Sequence, residues 1–128
     1  MRIWKLQLVF VAMAAAATAS GCTGGQQVPP YAVGTGGHPA RGEQVIARYE
    51  CGKCHTIPGI DGANGVVGPP LNFMARRSTL AGNFPNDPHH LVEWVRTPQE
   101  MKPGTAMPDL GLSEQQARDV AAYLYTLQ

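Results

Sequence analysis

The sequence predicts an all-α domain of short helices joined by irregular loops. Signals for helix starts recur along the chain, and no strand of consequence is found. Gly and Pro are plentiful, with 15 and 11 among 128 residues. A fold of this kind is expected around something rigid, and the stretch that could hold it is Cys51-Gly52-Lys53-Cys54-His55.

The Cys-x-x-Cys-His pattern is that of a covalent c-type haem attachment site. Cys51 and Cys54 would form thioether bonds to the two vinyl groups, and His55 would donate a nitrogen to iron. One alternative is a redox dithiol, which usually follows a strand in a βαβ pattern that is not found here. Another is half of a zinc site, which needs a second close pair of Cys or His. The adjacent pair His89-His90 would point in different directions on a helix, so the pattern favours haem.

A targeting segment is expected over residues 1–21. Arg2 and Lys5 precede an apolar run over residues 6–19 that is too short for a comfortable membrane span. Small residues before Cys22 resemble the cleavage box of bacterial lipoproteins, although Ala stands where that box prefers Leu. The sequence therefore predicts an exported protein, lipid-anchored through Cys22 on the periplasmic side of a bacterial membrane. The alternative is ordinary cleavage between small residues, with a spare thiol.

The part of the chain that follows the expected targeting segment has a nearly balanced charge. Residues 22–128 carry eight Lys or Arg and nine Asp or Glu, a net charge of −1, and no basic patch indicates nucleic-acid binding. Residues 22–39 are expected to form the lipidated Cys and a flexible linker, because they are rich in Gly and Pro and almost uncharged. The alternative is that Tyr31 and Val33 pack back onto the domain.

The domain itself is expected over residues 40–128, and its first helix over residues 40–50. The apolar side of that helix includes Gly42, which indicates that another backbone crosses closely there. A short helix is expected within residues 71–77. The last helix is expected over residues 114–127.

Capping signals mark the starts of the later helices. Asp87 and Pro88 are a typical N-cap and first position, and Leu91, Trp94 and Val95 would form the buried stripe of that helix. Residues 97–100 and 113–116 both have the capping-box pattern.

Iron ligated by one histidine has a second axial position, for which a methionine sulfur is a candidate. Two of the five methionines would leave with the targeting segment, and Met74 and Met101 lie in helical stretches. Met107 lies between Pro103-Gly104 and Pro108, in a loop stiffened by proline. A methionine is more often core filler, but this context favours Met107 as the ligand.

Several stretches, in this order and spacing, resemble the class I c-type cytochromes. The resemblance covers residues 40–128 and implies a small cytochrome c fold around one covalent haem c. The matching stretches are Cys51-Gly52-Lys53-Cys54-His55, Gly68-Pro69-Pro70-Leu71, Pro98 followed by Pro103-Gly104-Thr105-Ala106-Met107, and Ala122-Tyr123-Leu124.

The resemblance implies roles for residues around the haem. Pro69 offers its carbonyl to the other nitrogen of His55, and Leu71 packs on the haem face. Thr105 resembles a residue that bonds a propionate. Trp94 stands where the family often has a Tyr near the methionine sulfur.

Further implied contacts are less specific. Arg76 or Arg77 is expected at a propionate, with a solvated charge as the alternative. The first and last helices are expected to cross through Gly42, Ile46, Val120 and Tyr123.

A narrower resemblance is to the cytochrome c domain fused to subunit II of some bacterial haem–copper oxidases. This chain departs from those proteins in lacking paired transmembrane helices and the copper-binding cluster, so it is expected to be a detached haem module. The matching stretches are Cys54-His55-Thr56-Ile57, Val67-Gly68-Pro69, Arg77-Ser78-Thr79-Leu80-Ala81-Gly82, Trp94, Pro98-Gln99 and Lys102-Pro103-Gly104-Thr105-Ala106-Met107-Pro108.

The function expected from these features is that of a monomeric one-electron carrier of a respiratory chain, not an enzyme. The implied partners are redox proteins that dock transiently at the haem edge, such as a quinol-oxidising complex and a terminal oxidase. The alternative is a haem enzyme or ligand sensor of peroxidase type, which requires that Met107 is not an iron ligand. His38, His89 and His90 are expected at the surface.

Overall fold

Five α-helices and one short β-ribbon form the regular structure of residues 29–128, the part of the chain that the computed structural model describes. This confirms the all-α class. The expected targeting segment, Cys22 and the first part of the expected linker lie outside the described residues. The elements are α1 (Pro30–Gly34), α2 (Pro39–Arg48), β1 (Thr79–Leu80), β2 (Phe84–Pro85), α3 (Pro88–Arg96), α4 (Pro98–Met101) and α5 (Glu114–Leu124).

The helices α2 and α5 cross in close contact at Gly42. A β-carbon at Gly42 would overlap the backbone carbonyl of Asp119 and the side chain of Tyr123, so only glycine allows this approach. Ile46, one turn further along α2, and Val120 are both buried. The crossing that the resemblance implied is therefore present.

The ends of α2 differ slightly from the expected residues 40–50. The helix begins at Pro39, whose fixed φ suits the first helical position. It ends before Glu50, which has a left-handed backbone with φ +55°. A 3-10 turn over Cys51–Lys53 follows at once.

The starts of α3 and α5 are capped as expected. Asp87 accepts a hydrogen bond from the backbone N–H of His90 at 2.9 Å, and Ser113 and Gln116 form both bonds of a capping box. The prediction of a capping box over residues 97–100 is wrong, because the Thr97 hydroxyl donates to the Glu93 carbonyl in the last turn of α3. That hydroxyl is therefore directed back towards α3, and it makes no cap for α4.

Two elements are shorter than the sequence indicated. The helix expected within residues 71–77 is a single 3-10 turn, Met74–Arg76, entered through a left-handed Phe73. The last helix ends at Leu124 rather than at residue 127, and the backbone turns there. The ribbon of β1 and β2 pairs only Thr79 with Pro85 and Leu80 with Phe84.

A flexible linker was expected to extend to residue 39, but within residues 30–38 the chain forms helix α1 and packs against the domain. Ala32 in α1 has 0 % of its surface exposed, and Thr35 is also buried. The Tyr31 ring lies 5.6 Å from the Tyr125 ring, and Arg118 donates to the Thr35 carbonyl at 2.9 Å. Burial of Ala32 and the hydrogen bond from Arg118 hold this segment on α5. The Gly- and Pro-rich composition of the segment did not indicate either contact.

The core lies where α2, α3 and α5 meet. Each of these helices also directs part of its surface towards a cavity. Leu91 and Val95 of α3 are buried together with Ala117 and Val120 of α5. Trp94, the third residue of the stripe predicted for α3, is only half-buried. None of the helices between residues 29 and 128 is long and apolar enough to cross a membrane.

Candidate functional site

One cavity of about 360 Å³ brings together all the residues that were predicted to hold the cofactor. Its wall also includes apolar side chains of α2, α3 and α5, among them Ile46, Leu91 and Val120. The predicted residues that line it are Cys51, Cys54, His55, Pro69, Leu71, Trp94, Thr105 and Met107.

The two thiols are placed by the 3-10 turn that follows α2. The N–H groups of Cys54 and His55 both donate to the Cys51 carbonyl, at 3.2 and 3.0 Å. Both thiols are free. Burial raises the pKa of Cys51, and the neighbouring Cys54 adds to this effect. Because both thiols are free and both line the cavity, they are available for covalent attachment of a group inside it.

The His55 ring is held in one orientation from two sides. Its Nδ1 lies 2.7 Å from the Pro69 carbonyl oxygen, so Nδ1–H donates to that oxygen and Nε2 is the nitrogen left free for a metal. Gly68 lies flat against the ring, because a β-carbon there would overlap three ring atoms. The contact implied between Pro69 and His55 is present.

The loop that carries Met107 is fixed by Gln99, a residue to which no role was assigned from the sequence. The Gln99 side-chain amide donates to the carbonyls of Thr105 and Met107, both at 2.7 Å. The Gln99 backbone N–H donates to Asp109 at 3.1 Å. One amide thus fixes the backbone on both sides of Ala106, and no periodic pattern in the sequence indicates this contact.

The two candidate arginines have different surroundings. Arg77 lines the cavity and donates to the carbonyls of Asn72, at 3.1 Å, and Pro70. The Arg76 guanidinium instead lies over the Phe73 ring, 5.9 Å from its centroid, and does not line the cavity. Arg77 is therefore the one of the two near the cofactor.

A second cation at the cavity wall, Lys102, was not predicted from the sequence. Lys102 lines the cavity, and its ammonium donates to the Ala81 carbonyl at 3.0 Å. It stands at the start of the Met107 loop, so its charge lies at the cavity wall.

Other candidate ligands are not brought to the site, with one exception. His38, His89, His90 and Met101 do not line the cavity, and His90 Nδ1 pairs instead with Asp87 Oδ2 at 2.7 Å. Met74 does line it, from the 3-10 turn, and so is a second thioether in the wall.

The donor set fits a c-type haem. Two free thiols, an imidazole with one free nitrogen and a methionine in a fixed loop share a cavity whose wall is mostly apolar. Residues 29–128 contain no cluster of three His, Cys, Asp or Glu side chains that could hold a metal ion. The second ligand pair that a zinc site needs is thus lacking in this part of the chain.

Comparison with known proteins agrees with this geometry. The sequence model of the cytochrome c family matches residues 39–128. The cytochrome c oxidase subunit 2 of Alkalihalophilus pseudofirmus is 33 % identical over 89 residues, which are 69 % of this chain and 25 % of that protein. The chain therefore spans about a quarter of that relative. With its thiols, histidine and cavity, this chain belongs to the cytochrome c family and carries one covalent haem c.

Proposed function

We propose that this protein is a one-electron carrier of a respiratory chain whose haem iron is ligated by His55 and Met107. The family is one of haem electron carriers. The observation that carries the proposal is that His55 and the Gln99-fixed Met107 loop line the same cavity. Two protein ligands on iron would leave no open position for a substrate, which is why a carrier is preferred to an enzyme.

The bound haem supplies the one-electron chemistry, and the chain's residues tune it. Pro69 fixes the tautomer of His55 and raises the basicity of its free nitrogen. A thioether such as Met107 favours the reduced ion relative to a second histidine. The mostly apolar wall offers few groups that could hold water beside the haem, which would limit solvent reorganisation when the charge changes.

The proposed partners are redox proteins that dock transiently at the haem edge. Support for a terminal oxidase as acceptor comes from the relative, which is an oxidase subunit. A quinol-oxidising complex is the proposed donor. We further propose that the protein is exported as a monomer and held on the periplasmic side of the membrane by lipid on Cys22.

The iron ligation is tested by the absorption spectrum and a potentiometric titration of the haem-loaded protein. Wild type is expected to show the weak long-wavelength band of methionine-ligated ferric haem and a single reversible one-electron wave. Met107→Ala should abolish the band and lower the potential, since the soft ligand is lost.

Two matched variants locate the sulfur. Met101→Ala, outside the cavity, should leave the spectrum unchanged, and Met74→Ala should keep the band. If Met74→Ala abolishes the band and Met107→Ala does not, the ligand assignment is wrong. A high-spin wild type whose spectrum shifts with cyanide or peroxide would indicate a haem enzyme or sensor instead.

The anchor is tested by metabolic labelling with palmitate. Label is expected on wild type and absent from Cys22→Ser, while the haem spectrum of the variant stays that of wild type. Label that persists in Cys22→Ser would remove the proposed anchor and leave the electron-carrier function intact.

A further inference from the structure

The Asn86 side chain binds both ends of the short turn that places Met74 and Arg77 in the cavity wall. Its Nδ2 donates to the carbonyls of Met74 and Arg77, both at 2.8 Å. Both hydrogens of the amide are used in this way. Asn86 directly precedes the N-cap of α3, so these two bonds fasten the turn to the start of that helix.

Tyr125 fixes the orientation of this amide. Its hydroxyl donates to Asn86 Oδ1 at 2.9 Å. Tyr125 has 1 % of its surface exposed, and burial raises the pKa of its hydroxyl, which therefore stays a donor. The same part of the chain also holds the turn directly, because the Ala75 N–H donates to the Leu127 carbonyl at 3.0 Å. The segment after α5 is thus connected to the cavity wall.

Arg77 connects the turn to the loop that holds His55. The Arg77 guanidinium donates to the carbonyls of Asn72, at 3.1 Å, and Pro70. Carbonyls leave it charged, and hydrogen bonds from a charged donor are stronger than those between neutral groups. Pro70 directly follows Pro69, whose carbonyl accepts from His55 Nδ1–H at 2.7 Å. A continuous set of contacts therefore runs from the segment after α5 to the His55 ring.

The loop between residues 66 and 73 has few other backbone bonds to hold it. Its two prolines have no N–H. Within residues 29–128, the N–H groups of this loop that reach another backbone group are those of Gly68 and Leu71. Both donate to carbonyls in or next to the haem-attachment motif, at 2.8 Å. The bonds from Arg77 are the ones that tie the loop to the 3-10 turn.

We propose that Asn86 is a positioning residue for His55 and that it acts through Arg77. The inference rests on the proposed ligation of iron by His55. The contacts keep the Pro69 carbonyl at hydrogen-bond distance from Nδ1, which holds the ring in one tautomer and keeps its free nitrogen basic. Both bonds of the guanidinium come from one nitrogen, so its other N–H groups are left for a propionate.

Exchange of the His55 Nδ1–H with solvent deuterium measures how firmly its hydrogen bond is held. In the ferrous, haem-loaded chain this ring proton is followed by NMR after isotopic labelling of histidine, because a bonded N–H exchanges only when its bond opens. In wild type it should exchange far more slowly than the ring protons of His38, which is exposed. A His55 ring proton that exchanges as fast as those of His38 would overturn the proposal.

Two variants remove the proposed constraint to different degrees. Asn86→Leu nearly keeps the shape of the side chain but cannot donate to either carbonyl, and it should speed the exchange about tenfold or more. Tyr125→Phe removes only the hydroxyl and should speed it about threefold. The milder variant keeps the test available if Asn86→Leu takes up no haem. Exchange at the wild-type rate in Tyr125→Phe and in any haem-loaded Asn86→Leu would overturn the proposal.

A double variant tests the route through Arg77. Arg77→Leu should itself speed the exchange about tenfold, and adding Asn86→Leu should change it by less than about twofold, because the connection is already broken. Equal effects of Asn86→Leu in the two backgrounds would overturn the route. Arg76→Leu is the matched control, since Arg76 has the same charge and lies outside the cavity, and it should exchange like wild type.

Two further controls separate positioning from a general loss of stability. Asp119, at the crossing of α2 and α5, and Asn83, an exposed amide three residues before Asn86, do not line the cavity. Asp119→Asn and Asn83→Leu should leave the exchange within about twofold of wild type. Acceleration in Asp119→Asn as large as in Asn86→Leu would mean that the proton exchanges by unfolding of the whole domain, and would overturn the proposal.

The proposed function has its own readout in the same samples. The methionine band and a reversible one-electron wave support the carrier whatever the exchange rates are. If both are present and the Asn86 and Tyr125 variants exchange like wild type, only the positioning role is wrong.

Discussion

Asp119 is the carboxylate that ties the segment before α2 to the last helix. It has 3 % of its surface exposed and accepts from the His38 N–H at 2.8 Å, the Arg41 guanidinium at 2.9 Å and the Gln115 amide at 3.0 Å. Burial alone would raise its pKa, but these hydrogen bonds and the Arg41 charge outweigh burial and lower the pKa of Asp119. The charged form is thus the one that the fold stabilises.

Asp119→Asn should therefore lower the free energy of unfolding by about 2 kcal/mol at pH 7, since charge-assisted hydrogen bonds are lost. The contribution of the carboxylate is fully present above its unfolded pKa of about 4 and is lost as the pH falls through the lower folded value. The difference between variant and wild type should accordingly shrink at about pH 3. Denaturant unfolding at both pH values measures it.

The matched control for that change is Glu114→Gln. Glu114 also has a lowered pKa, from its hydrogen bond to Arg118, but it is solvent-exposed. Its substitution should cost clearly less stability at pH 7. Equal losses in the two variants would show that burial of Asp119 does not matter.

Single residues of the site differed in how far the sequence revealed them. Met107 could be predicted as a residue of the cavity because prolines on both sides stiffen its loop, and His55 because the motif places it directly after the second cysteine. The role of Gln99 could not be found, because its partners are backbone carbonyls six and eight residues away. Such a contact depends on how the loop closes and leaves no periodic pattern.

At the scale of helices and loops, local signals located α2, α3 and α5 well. Asp87 and Ser113 are true caps because each is preceded by irregular chain and its side chain is free to bond the first turn. Thr97 has the same pattern and fails because α3 runs directly into it. The four-residue capping pattern cannot distinguish these cases, because they differ in whether irregular chain or a helix precedes the cap residue.

The element that the sequence did not predict is α1. A helix of five residues is too short to show a hydrophobic period. The helix is held by long-range contacts with Arg118 and Tyr125, near the end of the sequence. Its integration into the core nevertheless makes a definite prediction about stability.

Ala32→Glu should lower the free energy of unfolding by about 3 kcal/mol or more, because a charge would be placed where no surface is exposed. Val33→Glu on the next residue, which is exposed, should change it by no more than about 0.5 kcal/mol. Chemical denaturation of the haem-loaded variants measures both. If Ala32→Glu is as stable as wild type, residues 30–34 behave as the linker that the composition indicated.

The whole domain is built around a cavity, so its stability should depend on the cofactor. The core residues Ile46, Leu91 and Val120 of α2, α3 and α5 also line the cavity, so part of the apolar surface of each is left for the cofactor to cover. A small domain has only about 5–15 kcal/mol of stability to lose. The haem thus replaces the contacts that would otherwise join these helices.

The double variant Cys51→Ala/Cys54→Ala, which cannot form thioethers, should consequently lack most of the helical signal of wild type in far-ultraviolet circular dichroism. It should also show no cooperative thermal transition above about 25 °C. Met101→Ala, outside the cavity, is the control and should unfold like wild type. A haem-free double variant with a wild-type transition would mean that the helices pack without the cofactor.

The packing of α1 also sets the length of the proposed tether. Only seven peptide units separate Cys22 from Pro29, where the described fold begins, and even fully extended they reach no more than about 25 Å. A 17-residue linker could extend to about 60 Å. With lipid on Cys22, the haem domain would be confined to a layer about as thick as the domain itself. Its encounters would then be collisions in two dimensions, with rates set by the surface density of neighbouring membrane complexes rather than by their bulk concentration.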